Sequence, residues 1–119
     1  MEYDKLYSSV PLPEMINMLD NAPQDILQKA QDLEHTGGAL VSIGMKKTEF
    51  EKFWFYIYDL DIMAARAYMP SVKSAENVPK GYSSIQFEIY FNSKDKAPKE
   101  KQAVENTLYA IEIRLCEAR

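Results

Sequence analysis

The stretch that decides the fold is Phe53-Trp54-Phe55-Tyr56-Ile57-Tyr58-Asp59-Leu60-Asp61. A second run of the same kind follows further along the chain, Gly81-Tyr82-Ser83-Ser84-Ile85-Gln86-Phe87-Glu88-Ile89-Tyr90-Phe91. Both runs alternate large apolar side chains with side chains that carry a polar tip. This period of two is typical of β-strands that bury one face. The two runs therefore predict a sheet with two different sides.

Alternation in the first run predicts that its aromatic residues lie on opposite sides of that sheet. The apolar side would carry Phe53, Phe55 and Ile57. The opposite side would carry Trp54, Tyr56 and Tyr58, whose rings combine apolar area with a polar atom and suit a half-hydrated, ligand-facing surface.

The same criteria predict the other elements of the chain. Further strands are expected at Leu6–Val10, Ala39–Met45 and Ala64–Met69, with Gly44 marking a bulge or a close backbone approach. Helices are expected after Pro13, after Pro23 and from Lys99 to the C-terminus. The connections are a turn at Thr36–Gly38, a charged segment Lys46–Lys52 and polar loops at Pro70–Lys80 and Asn92–Pro98.

This order of elements predicts an α+β fold in one domain, residues 1–119. Consecutive strands joined by short turns would form an antiparallel sheet of four to five strands with helices packed on one face. The C-terminal helix carries an apolar stripe of Val104, Leu108, Ile111 and Leu115. We expect this stripe to cover the phenylalanine side, which has no polar tips to desolvate, and to leave the tyrosine side open.

Composition limits the class of protein. The chain has 119 residues, 46% of them hydrophobic and 27% charged, which is ordinary for a globular domain. Its net charge of −4 argues against nucleic-acid or anionic-membrane partners. The single cysteine, Cys116, excludes an internal disulfide and fits a reducing compartment. With no signal peptide and no membrane span in the sequence, a cytoplasmic location is expected.

Motifs of known chemistry are missing from the sequence. No glycine-rich phosphate loop, nucleophile elbow or paired-cysteine motif occurs, and His35 is the only histidine. Asp59 and Asp61 could form part of a cation site, but two acids in a turn are more often turn formers. The residues alone support a sheet with an aromatic face, no metal site and no catalytic group.

An ordered series of short segments resembles a known family. The run Leu6-Tyr7-Ser8-Ser9-Val10-Pro11-Leu12-Pro13 resembles the I-S-T-x-P-L-P segment of FAD-dependent amine oxidoreductases, in the bacterial branch related to protoporphyrinogen oxidase and UDP-galactopyranose mutase. That branch is associated with polysaccharide or lipopolysaccharide synthesis. The middle region of the branch is followed in order by Trp54–Asp59, Arg66, Pro70-Ser71, Asn77-Val78-Pro79, Gly81, Ser83-Ser84 and Glu88.

The resemblance implies that this chain is the substrate-binding part of such an enzyme. The family's FAD site needs a strand–glycine loop–helix and a C-terminal segment, neither of which occurs here, so no cofactor is expected in this chain and no activity is expected of it alone. The aromatic face would roof the cavity over the flavin ring. The strand Leu6–Val10 would have lost its neighbours, and such an edge invites pairing with a second copy, so a homodimer is expected.

Five residues are the candidate substrate-binding set. They are Trp54, Tyr56, Tyr58, Arg66 and Tyr68. The rings would stack on a flavin, a sugar or another flat surface, unless the C-terminal helix covers them. The Arg66 guanidinium would bind a carboxylate or diphosphate, or would pair structurally with Asp59, Asp61 or Glu88.

Two other classes of function remain open at this stage. The chain could be a freestanding binding or dimerisation module whose aromatic face recognises a hydrophobic small molecule or partner. A cofactor-free enzyme using Asp59, Asp61 or Glu88 is the weakest alternative, because no positioned base and nucleophile are visible.

Overall fold

The computed structural model describes residues 4–49 and 52–115, without the side chains of residues 114 and 115. Cys116 lies outside the described residues. The elements in chain order are α1 (Leu12–Asn17), α2 (Gln24–Asp32), β1 (Thr36–Lys46), β2 (Trp54–Tyr56), β3 (Arg66–Tyr68), α3 (Pro70–Lys73), a 3-10 turn (Ala75–Asn77), β4 (Tyr82–Asn92) and α4 (Glu100–Leu115). Within the described residues no helix has the length and apolarity needed to cross a bilayer.

The chain divides into two compact units, Met1–His35 and Thr36–Arg119. In the first unit, α1 and α2 form where the sequence predicts two helices. Each follows a proline in extended conformation, Pro11 before α1 and Pro23 before α2, and Pro13 occupies the first turn of α1, where its missing N–H costs nothing. That the two units form one domain stays a prediction.

The predicted strand at Leu6–Val10 is wrong. The segment has no regular secondary structure, and the Val10 N–H bonds to the Ser8 hydroxyl at 3.3 Å. A strand requires a hydrogen-bonding neighbour, and alternation in the sequence does not supply one.

The second unit contains an antiparallel sheet of four strands in the order β1-β4-β3-β2. The predicted α+β class with an antiparallel sheet is thus confirmed. The expectation that consecutive strands are neighbours holds for β2–β3 and β3–β4 but fails for β1. The reason is length, because β1 and β4 have 11 residues each whereas β2 has only 3, and the two long strands pair over their full extent.

The hydrophobic core lies on one side of this sheet. From β4 it takes Ile85, Phe87 and Ile89, which are 0–3% exposed, and from β3 it takes Ala67. Ala39, Val41, Ile43 and Met45 of β1, with Phe55 and Ile57, pack around these residues, as the alternation predicts. Phe53 is an exception. It is 42% exposed, and its ring meets the edge of the Tyr68 ring at 6.5 Å.

The predicted turn at Thr36–Gly38 is the first part of β1 instead. Gly37 lies opposite Phe91 of β4, and the Phe91 ring covers it so closely that a Cβ at position 37 would stand 2.4 Å from the Phe91 Cε2 atom. Gly44 causes neither a bulge nor a close approach, since the β1–β4 register is continuous and nothing lies within 4 Å of its Cβ position.

The predicted apolar stripe of α4 faces the core only in part: Ile111 packs against it, whereas Val104 and Leu108 do not, and the Leu115 side chain lies outside the described residues. Val104 and Leu108 are 38% and 51% exposed. The fully buried positions of α4 are the small residues Ala103 and Ala110, with Thr107 between them, and Ile111 and Ile113 pack beside them. The Thr107 hydroxyl donates to the Ala103 carbonyl at 2.8 Å, so its burial leaves no polar group unpaired.

The segment Pro70–Lys80 is more structured than the predicted polar loop. It forms α3 and the 3-10 turn, with Pro70 starting the helix and the Asn77 side chain donating to the Pro70 carbonyl at 2.9 Å. Gly81, at φ 86°, then turns the chain into β4 through a backbone conformation that favours glycine.

Candidate functional site

The strand register brings the polar-tipped side chains into two rows across the side of the sheet opposite the core. One row runs through Trp54, Tyr68, Gln86 and Ser42, and the next through Tyr56, Arg66, Glu88 and Leu40. We call this side the aromatic face. All four strands contribute to it, so the sheet itself fixes the spacing of these side chains.

Two rings of β2, Trp54 and Tyr56, and the ring of Tyr58 just after it lie in a row along this face. Trp54 and Tyr56 meet edge to face with ring centroids 5.2 Å apart, and Tyr56 and Tyr58 follow at 6.4 Å. The three residues are 52%, 53% and 87% exposed. They pack on each other and leave much of their area free, which is the arrangement of a stacking surface.

An ion pair lies at the centre of the face. The Arg66 Nε and Nη2 atoms donate to Glu88 Oε2 at 3.0 and 2.7 Å, and the Tyr90 hydroxyl donates to the same oxygen. Glu88 is buried, at 8% exposure, whereas the Arg66 side chain is 36% exposed. Of the three structural partners considered for Arg66, the structure shows Glu88, and it leaves part of the guanidinium facing solvent.

Opposing effects act on the Glu88 carboxyl. Burial raises its pKa, but the hydrogen bonds from Tyr90 and Arg66, together with the positive charge of Arg66, outweigh burial, so the pKa lies below its ordinary value. The bond to this carboxylate in turn raises the pKa of the Tyr90 hydroxyl and that of Arg66. At neutral pH the pair is therefore charged and Tyr90 is a hydrogen-bond donor.

A second set of hydrogen-bonded side chains lies in the neighbouring row. The Tyr68 hydroxyl donates to Gln86 Oε1, and Gln86 Nε2 donates to the Ser42 hydroxyl at 2.7 Å. These hydrogen bonds link β3, β4 and β1, and they fix the orientation of the Tyr68 ring beside Trp54. Side chains held in this way lose little conformational freedom when a ligand binds.

The five candidate residues thus lie on one face, and the structure adds three more that the sequence analysis missed. Gln86, Tyr90 and Ser42 hold Tyr68 and the Arg66–Glu88 pair in place. Alternation alone puts residues 86, 88 and 90 on one side of β4. Finding their partners required the register between strands, which the sequence does not state.

Two of the three acidic residues proposed for the alternative enzyme, Asp61 and Glu88, bond to other side chains. The Asp61 carboxylate accepts a bond from the Tyr109 hydroxyl at 2.9 Å, which ties the loop after β2 to α4. Glu88 is engaged by Arg66 and Tyr90. Within the described ranges, no group of three histidine, cysteine, aspartate or glutamate side chains is placed to hold a metal ion.

A separate cleft of about 390 Å³ opens at the end of the sheet between α3, the start of β4 and the segment after β1. Its lining includes Lys47, Ser71, Lys80 and Tyr82. None of the five candidate residues lines it, so this cleft is separate from the aromatic face.

The fold resembles part of a solved enzyme. The structure is similar to a chain described as "Crystal structure of reduced UDP-Galactopyranose mutase", with a TM-score of 0.78 and 24% sequence identity. The match covers 95% of this chain and 26% of that one, so this chain spans about a quarter of the mutase. No family model and no curated protein matches the sequence. At this identity, the similarity shows a shared fold.

Proposed function

We propose that this chain is the substrate-binding part of an FAD-dependent, amine-oxidoreductase-like flavoprotein of polysaccharide or lipopolysaccharide synthesis, and that it has no enzymatic activity alone. The observation that carries the proposal is the open aromatic face, where the core covers the other side of the same sheet. The fold similarity to a quarter of a UDP-galactopyranose mutase chain supports it.

The five candidate residues and Glu88 each have a role in this proposal. Trp54, Tyr56 and Tyr58 provide flat area on which a sugar, a base or a flavin ring stacks. The exposed part of the Arg66 guanidinium attracts an anionic group of the substrate, while Glu88 fixes its direction. Tyr68 offers a ring between these two parts of the face.

The residues of this chain do not fit the dinucleotide part of FAD. A dinucleotide site uses glycines in a loop that joins a strand to a helix, whereas Gly37, Gly38 and Gly44 lie within β1 and Gly81 precedes β4. The flavin chemistry would therefore depend on residues outside this chain, with this chain orienting the substrate. Titration of this chain with FAD should give no tight binding, and a stoichiometric yellow protein would contradict the proposal.

Trp54, as the only tryptophan, reports directly on ligand binding at the aromatic face. We expect UDP-galactopyranose to change its fluorescence in a saturable way. Tyr58→Ala should weaken this binding about fivefold, the factor that corresponds to ~1 kcal/mol, the scale of one aromatic contact.

Tyr7→Ala is the matched control, since Tyr7 is 89% exposed against 87% for Tyr58 but belongs to the first unit. It should leave the titration unchanged. Equal weakening by both variants, or no saturable change at all, would reject the proposal. Binding of a hydrophobic dye at Trp54 without any response to UDP-galactopyranose would favour the freestanding module, to which the 62% exposed Leu40 of the same face would contribute.

A further inference from the structure

Strand β1 is a long edge strand of the sheet in the second unit. It has 11 residues and lies at one end of the sheet, where the second unit supplies a strand on only one of its sides. Between Gly37 and Met45 it contains no charged residue and no proline. Protein edge strands usually carry such residues, or are short like β2, to prevent pairing with another chain.

The hydrogen bonds around β4 show which groups of β1 point outward. The Lys47 N–H donates to the Gly81 carbonyl at 2.9 Å, so the odd-numbered residues of β1 direct their backbone groups to β4. The Ser84 N–H bonds to the Ser71 hydroxyl on the other side of β4, as this alternation requires. The outward groups are therefore those of the even-numbered residues, with Leu40 and Ser42 at the centre of the edge.

We propose that this edge binds the β1 edge of a second copy of the chain in antiparallel orientation, with the two-fold axis at Val41. In this register Val41 faces Val41 of the other copy. Each other residue faces the one that lies equally far from position 41 on the opposite side, so Leu40 faces Ser42. Even-numbered residues then meet even-numbered residues, and the outward N–H and C=O groups of one strand meet those of the other.

The side chains also match on both sides of the joined sheet. On the core side Ala39 meets Ile43, and Val41 meets its symmetry mate, which extends the apolar layer across the junction. On the aromatic face the pairs are Leu40 with Ser42 and Gly38 with Gly44, which are small or uncharged. No like charges come together in these pairs, so a second copy fits this edge along its length.

This contact differs from the homodimer expected from the sequence. That expectation used the segment Leu6–Val10, which is not a strand in the structure. The present contact uses one of the two 11-residue strands of the sheet and joins two sheets of four strands into one of eight.

A disulfide tests the register directly. In a Cys116→Ser background, Val41→Cys should form a covalent dimer on mild oxidation, because residues that face each other without exchanging hydrogen bonds have Cα atoms about 4.5 Å apart. Ala39→Cys is the control, because its symmetry mate lies about 13 Å away along the strands. Cross-linking of both variants to the same extent, or of neither, would overturn the proposal.

Light scattering on the unmodified chain should give twice the monomer mass of 13.7 kDa. Leu40→Pro removes an outward N–H that has no role within the sheet, and should give a folded monomer, whereas Leu40→Thr should remain a dimer. Leu6→Lys should also remain a dimer. A monomeric parent chain, or a dimer that Leu6→Lys disrupts, would contradict the β1 contact, and this outcome does not depend on ligand binding at the aromatic face.

Discussion

Glu88 holds the side chains of Arg66 and Tyr90 in place on the aromatic face. It is buried on β4, and it accepts hydrogen bonds from Arg66 and Tyr90. Its pKa is lowered because these partners outweigh the effect of burial. A buried carboxylate of this kind is stable only while both partners are present.

The lowered pKa of Glu88 predicts a loss of stability in acid. The unfolded carboxyl takes up its proton near pH 4.5, and the folded one at a lower pH. The contribution of Glu88 to stability is therefore complete above about pH 4.5 and is lost as the pH falls through the folded-state pKa. We expect Glu88→Gln to be less stable than the parent at pH 7 and to lose less stability between pH 5 and pH 3, measured by urea unfolding.

The exposed Glu76 of the 3-10 turn provides the control for this experiment. Glu76→Gln should stay within about 0.5 kcal/mol of the parent at pH 7. If Glu88→Gln and the parent lose equal stability in acid, the ion pair does not have the role described.

Two aromatic truncations compare the two sides of the sheet. Phe87 is 1% exposed within the core, and Phe87→Ala should cost about 3–5 kcal/mol in the free energy of unfolding. Trp54 is 52% exposed, and Trp54→Ala should cost about 1 kcal/mol, mainly the edge contact with Tyr56. Chemical denaturation measures both, and a loss of several kcal/mol for Trp54→Ala would show that its ring is buried.

Among the elements, β4 and α4 illustrate what the sequence can and cannot predict. Strict alternation in β4 identified its buried side correctly, because a period of two admits only two arrangements. In α4 the larger apolar side chains predicted the inward face only in part, since Ile111 packs on the core but Val104 and Leu108 are exposed. Helices pack closely on a sheet through small residues, and which small residues face inward depends on the neighbouring loop, where Asn106 bonds to the Met63 N–H at 2.6 Å and to the Asp61 carbonyl at 2.8 Å.

The packing of α4 gives a prediction for two substitutions on one helix. Ala110 is 2% exposed against the core, so Ala110→Leu should overpack the interface and cost about 1–3 kcal/mol. Leu108 is 51% exposed, and Leu108→Ala should change the free energy of unfolding by less than about 0.5 kcal/mol. If thermal or urea unfolding showed a larger loss for Leu108→Ala than for Ala110→Leu, Leu108 would face the core, as the apolar stripe predicted.

For the whole molecule, the two-sided sheet was predictable and its strand order was not. Trp54, Tyr56, Arg66 and Tyr68 were placed together because each lies on the same side of its own strand. The pairing of β1 with β4, and hence the position of β1 at the edge of the sheet, depends on which strands are long enough to cover one another. The predicted strand at Leu6–Val10 failed for the related reason that no partner pairs with it.

The central claim is that one side of the sheet holds the core while the aromatic face is open. Acrylamide quenching of Trp54 fluorescence tests it most directly, because the chain has one tryptophan and it lies on that face. We predict a red-shifted emission and quenching close to that of the unfolded chain. A blue-shifted emission that acrylamide barely quenches in the native protein would contradict the account.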